Sequence, residues 1–276
     1  MSQPKSDAIF RYKYLPMCKG SLKVISEGTI KFSSPDEFND PFDCAPDYDV
    51  KKNIEYISRR PDLLKTAGKK LGLSPAKRLQ HKKVMLRNIE RATSEDNYGA
   101  NISKQSGICC LSKAPLNLLM WAHYAKDHTG FVVEFRIPQN VKCTKGEAYE
   151  YLLKYLYPLE VVYSEDKPVI DPSDNDVINT KKQYLTKSKD WEYEQEERVV
   201  DNMRGSGIHP YEHKIILKSV IAGLKMKDTD YTSLKSTIHK INSEMEINVK
   251  LYKAEKLKGK FALFVPGRDD LSDCSN

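Results

Sequence analysis

Short runs of strand character, set at very unequal intervals, constrain this chain most. Residues 8–15 (AIFRYKYL), 29–33 (TIKFS), 107–112 (GICCLS), 131–137 (FVVEFRI), 159–164 (LEVVYS), 214–222 (KIILKSVIA) and 247–254 carry that character, being rich in aromatic and β-branched residues. Residues 196–201 (EERVVD) read as a strand end and 260–265 (KFALFV) as a further strand. The intervals hold helical segments of dissimilar length. That excludes a regular alternation of strand and helix, and with it an all-parallel doubly wound sheet. The expected class is α+β: a mixed, mostly antiparallel sheet core in a single domain over residues 1–276, with a helical insertion at 50–105.

Inside that insertion Pro61 suits a first helical position, Gly72 a C-terminal stop, and Ser74-Pro75 an N-cap and N1 pair. The following helix carries Leu79, Met85, Leu86 and Ile89 among basic residues. Elsewhere Gly20-Ser21 opens a short helix that Gly28 ends. Pro115 opens one that stops before Gly130, with Leu116, Leu119, Met120 and His123 on its inner face. Residues 181–190 and the stretch from Asp228 to about Glu244 give two more. Residues 146–157 read as helical or irregular, residues 171–180 as a loop, and the tail from Asp269 as frayed.

Hydrophobic residues make up 39% of the 276 and charged residues 30%, a balance too apolar for a disordered chain. No apolar run approaches the roughly 20 residues of a membrane helix, and MSQPKSDAIF lacks the apolar core of a signal peptide. A cytoplasmic location without membrane association is expected. None of the six cysteines forms a C-x-x-C pair, so no metal site is expected and the thiols read as reduced. The net charge of +7 is unevenly placed: Arg59 to Arg91 holds eleven Lys or Arg against Asp62 and Glu90. Such a face suits an anionic partner, nucleic acid above all, or is simply solvated.

The sequence contains no G-x-G-x-x-G, no Walker A loop, no H-E-x-x-H and no G-x-S-x-G, which disfavours those phosphate-binding and hydrolytic routes. Three clusters carry the remaining chemistry. Phe38-Asn39-Asp40-Pro41-Phe42-Asp43 makes a tight turn that its two Phe can anchor, and its Asx side chains commonly just hold such a loop together. Met120-Trp121-Ala122-His123-Tyr124-Ala125 is an aromatic stripe of the kind that more often packs a core. Trp191 to Arg198 packs four carboxylates into the six residues 192–197, flanked by Trp191, Tyr193 and Arg198. If extended, it points Glu194, Glu196 and Arg198 one way and Gln195 and Glu197 the other. Crowded carboxylates raise one another's pKa unless a cation such as Arg198 compensates. Such groups occur in active sites and in plain surface networks alike.

Taken in order, these clusters resemble a bacterial family catalogued as domain of unknown function 2971. The resemblance runs through Tyr12-Lys13-Tyr14, Phe32-Ser33-Ser34-Pro35, the Phe38–Asp43 cluster and Cys110-Leu111-Ser112. It continues through Met120-Trp121, His123-Tyr124-Ala125, Gly130, Lys187, Trp191, Tyr193-Glu194-Gln195-Glu196 and Arg198. Glu197 departs from it, standing where an aromatic is common. The family brings no activity with it.

A second resemblance is to ADP-ribosyltransferases, which place a basic residue or His on an early strand, an aromatic or Ser on a middle strand and a Glu on a late one. Tyr12-Lys13-Tyr14, followed by a helix, Gly28 and a second strand, looks similar, and Glu194-Gln195-Glu196 looks like the E-x-E form of the late motif. The resemblance implies NAD⁺ as substrate, with Glu196 as catalytic carboxylate, Glu194 placing the acceptor and Arg198 orienting both acids. Lys13 or Tyr14 would contact NAD⁺, and Trp121 or Tyr124 would stack. Asn39, Asp40 and His123 complete the expected binding set. A macromolecular acceptor, nucleic acid docked on 59–91, would suit a bacterial toxin or phage-defence effector held by an antitoxin or regulatory protein. The competing readings are a metal-dependent nuclease, with Asp40 and Asp43 joining the acids, and a non-catalytic nucleic-acid-binding adaptor.

Overall fold

In the computed structural model, which describes residues 7–95, 98–139 and 148–271, the chain divides into two compact units. The first comprises residues 1–33, 107–161 and 190–276 and the second residues 34–106 and 162–189. The class is α+β, built on a mostly antiparallel central sheet.

That sheet lies in the first unit. Its strands are β1 (Ala8–Leu15), β2 (Gly107–Ser112), β3 (Phe131–Pro138), β4 (Leu159–Glu160), β5 (Glu196–Asp201), β6 (Leu217–Ala222) and β7 (Lys250–Lys253). They lie in the order β7-β6-β3-β1-β2-β5-β4, and β6–β7 is the parallel pair. Strand alternation sends neighbouring residues to opposite faces. One face carries Cys109, Leu111, Val133, Phe135, Val199 and Val220, which pack with Val24 and Ile25 of helix Lys19–Ser26 and Leu234, Ile238 and Ile241 of helix Asp228–Met245. The other packs Tyr12, Tyr14, Val132 and Ile221 against Met120, Trp121, Ala125 and Leu263.

Several local expectations change in the structure. The first helix begins at Lys19, because the Cys18 Sγ accepts the Ser21 amide and so caps it. Gly28, at φ +61°, follows its end in the left-handed region that glycine tolerates. The helix after Pro115 covers only Leu118–His123, since Asn117 accepts the Leu119 and Met120 amides and sets its start. Residues 159–164 form two strands that belong to different units, Leu159–Glu160 and Val162–Ser164. Residues 171–180 are not all loop: Asn175 caps a helix over Asp176–Tyr184. Residues 213–216 are a helical turn ahead of β6. Leu271 is buried in the second core cluster, so the described part of the tail is held rather than frayed.

The second unit holds helices Val50–Ser58, Pro61–Lys70, Pro75–Thr93, Tyr98–Ser103 and Asp176–Tyr184, with two short parallel strand pairs. Its centre is polar: the Gln183 amide donates to the Cys44 and Gly99 carbonyls and to Ser103 Oγ, and Ser106 donates to the Tyr184 hydroxyl at 2.8 Å. Pro61 and Pro75 take first helical positions, and Ser74 accepts the Lys77 amide. Leu79 is exposed rather than packed, while Met85, Leu86 and Ile89 are partly buried. Among the described residues no helix is long and apolar enough to cross a membrane.

Glu134, in the middle of β3, is fully buried. Arg268 donates to both its oxygens at 3.0 and 2.7 Å, Tyr12 donates at 3.3 Å, and Ser219 donates as well. Removing the cation leaves a buried carboxylate uncompensated, which costs about 3–5 kcal/mol. Arg268→Ala is therefore expected to lose about that much in urea unfolding. A loss below about 1 kcal/mol would show that the pair does not anchor the sheet.

Candidate functional site

Strand register brings polar residues from five strands into one line on a single face. Ser219 of β6 pairs with Glu134 of β3, Glu134 with Tyr12 of β1, Tyr12 with Ser112 of β2, and Ser112 with Glu196 of β5. Direct cross-strand partners lie on the same face with Cβ atoms about 4.5–5.5 Å apart. The two ends each hold a buried ion pair. At one end Arg268 clasps Glu134. At the other, Arg198 donates from Nε and Nη2 to the two Glu196 oxygens at 2.8 and 3.0 Å, a bidentate pair with both partners buried.

The acidic segment is not extended throughout. Residues 189–194 form a 3₁₀ turn, and Gln195, at φ +45°, reverses it into β5. The left-handed conformation is costly for a residue with a side chain, and it marks positions fixed by their surroundings. Here Lys113 donates its amide to the Gln195 carbonyl, Ser112 donates its hydroxyl to the Glu194 carbonyl at 2.6 Å, and Asn117 donates to the Tyr193 carbonyl. Glu196 and Arg198 share the row's face by alternation. Glu194 has a partner of its own, the Tyr124 hydroxyl, which donates to its carboxylate at 2.6 Å.

Glu197 alternates to the other face. There Arg11 donates to both its oxygens, from Nη2 at 2.8 Å and from Nε, and Lys113 lies 3.6 Å away. The acid cluster is thus split between two faces, each with its own arginine. Arg11 was not singled out from the sequence, although its odd position in residues 8–15 places it on the face of Glu197 rather than Glu196.

The other expected residues are distributed as follows. Lys13 falls on the face opposite Tyr12 and Tyr14, and its ammonium donates to the Cys110 carbonyl at 3.0 Å. It does not join Glu196. Tyr14 is a core residue whose hydroxyl donates to the Ala114 carbonyl, and burial pushes its pKa well up. Trp121 is fully buried, donates to the Pro115 carbonyl and meets Tyr14 edge-on at 5.5 Å, so it offers no open stacking face. His123 is exposed, not inward, because the short helix turns Met120 and Trp121 to the core instead. Tyr124 is half-buried beside Glu194. Asn39 and Asp40 belong to the second unit. Asp40 is buried and accepts the Phe42 amide; Asn39 is exposed. Phe42 is 71% exposed and anchors nothing, whereas Asp43 is buried 3.7 Å from the buried Lys187 ammonium. Tyr12 and Ser112 were missed as well. Both lie inside quoted motifs, but only the register shows that Ser112 pairs with Glu196 and Tyr12 with Ser112.

Among the described residues no group of three or more His, Cys, Asp or Glu is placed to hold a metal ion. Residues 120–199, which include Trp121, Tyr124, Glu194 and Glu196, match the model of a family described as "Protein of unknown function (DUF2971)". No curated protein and no solved structure matches the chain.

The thiols differ in environment. Burial, and then the Glu196 carboxylate beside it, pushes the Cys110 thiol well up; burial raises Cys109. Hydrogen bonds from the Ser21 hydroxyl and amide hold the exposed Cys18 below the usual range. Alkylation follows thiolate fraction and exposure. Iodoacetamide at neutral pH is expected to modify Cys18 before Cys44, Cys109 and Cys110, read by peptide mass mapping. Faster modification of Cys110 would contradict this placement.

Proposed function

We propose that the chain transfers ADP-ribose from NAD⁺ to a macromolecular acceptor, on a sheet of the ADP-ribosyltransferase kind. The observation that carries this reading is the line Tyr12–Ser112–Glu196 on three adjacent strands. The resemblance implies a basic residue or His on an early strand, an aromatic or Ser on a middle strand and a Glu on a late one. Ser112 and Glu196 suit the middle and late positions. The early position in line with them is Tyr12, which is neither basic nor His, while Lys13 lies on the opposite face.

The chemistry is a heterolysis. The bond between nicotinamide nitrogen and ribose C1′ breaks, and its electron pair leaves with neutral nicotinamide. The oxocarbenium-like ribose is then attacked at C1′ by an acceptor oxygen or nitrogen, which gives up its proton. Glu196 would hold a ribose hydroxyl and oppose the developing positive charge, an electrostatic effect already in place before the reaction. Arg198 fixes the orientation of that carboxylate. Glu194, with Tyr124 on it, would place the acceptor and take its proton. The Ser112 and Tyr12 hydroxyls offer polar contacts along the same line.

Incubation with labelled NAD⁺ plus RNA, DNA and lysate tests this. Nicotinamide release and label transfer are expected from the wild type, unaffected by EDTA. Glu196→Gln is expected to lose about 10²–10³-fold in rate, the range for removing one preorganised electrostatic contact. Tyr124→Phe removes one hydroxyl at a partly exposed position and is expected to slow transfer more than nicotinamide release. Thermal melting separates lost chemistry from lost folding. A folded wild type that releases no nicotinamide and labels no fraction would overturn the reading.

A further inference from the structure

Beside the acidic turn, and within the same unit, a β-hairpin stands out from the sheet. Its strands are Glu255–Lys256 and Leu263–Phe264, and the Leu257 amide closes it onto the Ala262 carbonyl at 2.9 Å. Gly259, at φ +79°, makes the turn. Leu263 roots the hairpin in the core with Val265 and Leu271. The tip is unlike the root: Lys256, Lys258 and Lys260 are exposed, and Phe261 is completely so. No ion pair among the described residues engages any of these lysines.

The tip, which holds an aromatic ring in water beside lysines, contributes nothing to the core. Exposing a whole aromatic ring suits a surface that stacks on something. Between this hairpin and the acidic turn lies a cavity of about 240 Å³, lined by Phe261, Leu263, Leu271, Leu118, Asn117 and Gln195. A cavity of roughly 150 Å³ suffices for a benzene ring, so this one admits a planar heterocycle. Its wall mixes polar and apolar surface, with the Asn117 and Gln195 amides among the polar groups, and the Gln195 side chain makes no hydrogen bond among the described residues. A free primary amide presents a donor and an acceptor side by side, the pattern that reads a base edge. Gln195 is also the residue held in the left-handed conformation immediately before Glu196.

We propose that the hairpin at 255–264 docks single-stranded nucleic acid. Lysines meet the phosphates, Phe261 stacks on one base, and the neighbouring cavity takes an unpaired base against Gln195. Stacking on an aromatic together with a cationic track is the mode of single-strand binding, because every base offers a π-face. An unpaired base in that cavity lies next to the Glu194–Glu196 turn. If the transfer reaction proposed above is right, single-stranded nucleic acid is its acceptor. The docking itself does not depend on that reading.

The test uses the full chain and fluorescein-labelled oligo(U) and oligo(dT) of 20 nucleotides, the matching duplex, and vesicles containing phosphatidylserine. Anisotropy is expected to show the single strands bound more tightly than duplex, with the two oligonucleotide arms distinguishing RNA from DNA. Phe261→Ala, at a fully exposed position, is expected to weaken binding at least about fivefold, the lower bound for losing one base stack. Lys258→Ala with Lys260→Ala is expected to flatten the dependence of log affinity on log salt by about 0.7 per lysine. Phe261→Ala should also lose label on the oligonucleotide. Wild-type affinity in Phe261→Ala, preference for duplex, or binding to vesicles but not to oligonucleotides would overturn the proposal. Oligonucleotide binding that depends on Phe261, in a protein that releases no nicotinamide, would leave the docking intact and sink the transferase reading instead.

Discussion

A carboxylate buried in a sheet face needs a cation within hydrogen-bonding distance, and this sheet meets that need at both ends of one row. Arg268 closes on Glu134, and Arg198 closes on Glu196. Between them Ser219, Tyr12 and Ser112 are in register, so the row stays polar across five strands while the flanking rows are largely apolar. Neither charge could be taken from water alone, because desolvation exceeds what a single neutral hydrogen bond returns. The Arg198–Glu196 pair lies within β5, whereas Arg268 ties the segment around residue 268 to β3. A slip by one residue would turn Glu134 into the opposite face, which is apolar around Val133 and Phe135.

The same constraint sorts the acidic segment. Four carboxylates within the six residues 192–197 would repel one another on one surface. The Gln195 reversal and the strand that follows separate them. Glu194 is given to Tyr124, Glu196 to Arg198 and Glu197 to Arg11. Three of the four acids have a fixed partner and Glu192 is exposed, so the segment is mostly a set of oriented groups rather than a diffuse negative patch. The fixed orientation makes Glu196 credible as an electrostatic group in a reaction, because a carboxylate held in advance reorganises little when charge develops.

Alternation and capping signals were legible in the sequence. They located the strand cores at 8–15, 107–112 and 131–137, and the helices begun by Pro61 and by Ser74-Pro75. Glu196 and Arg198 sharing a face followed from period-two alternation alone. Strand neighbours did not, because register is a long-range property: nothing in Tyr12-Lys13-Tyr14 says which of the three meets Ser112. Polar aromatic residues also misled. Trp121 and His123 are two residues apart on one short helix, yet the first is fully buried and the second exposed. The helix is too short for its heptad-like pattern to set a face, and Asn117 decides its start instead. The loop expected at 171–180 failed for a related reason: its Asp and Asn residues read as turn formers, while Asn175 is in fact an N-cap.

A crystal structure of the chain with NAD⁺ bound tests the central claim most directly. The account predicts the nicotinamide ribose against Glu196, with hydroxyl contacts to Ser112 or Tyr12 and the Glu196–Arg198 pair retained. NAD⁺ bound on the opposite face beside Glu197 and Arg11, or bound with no contact to the row, would contradict it.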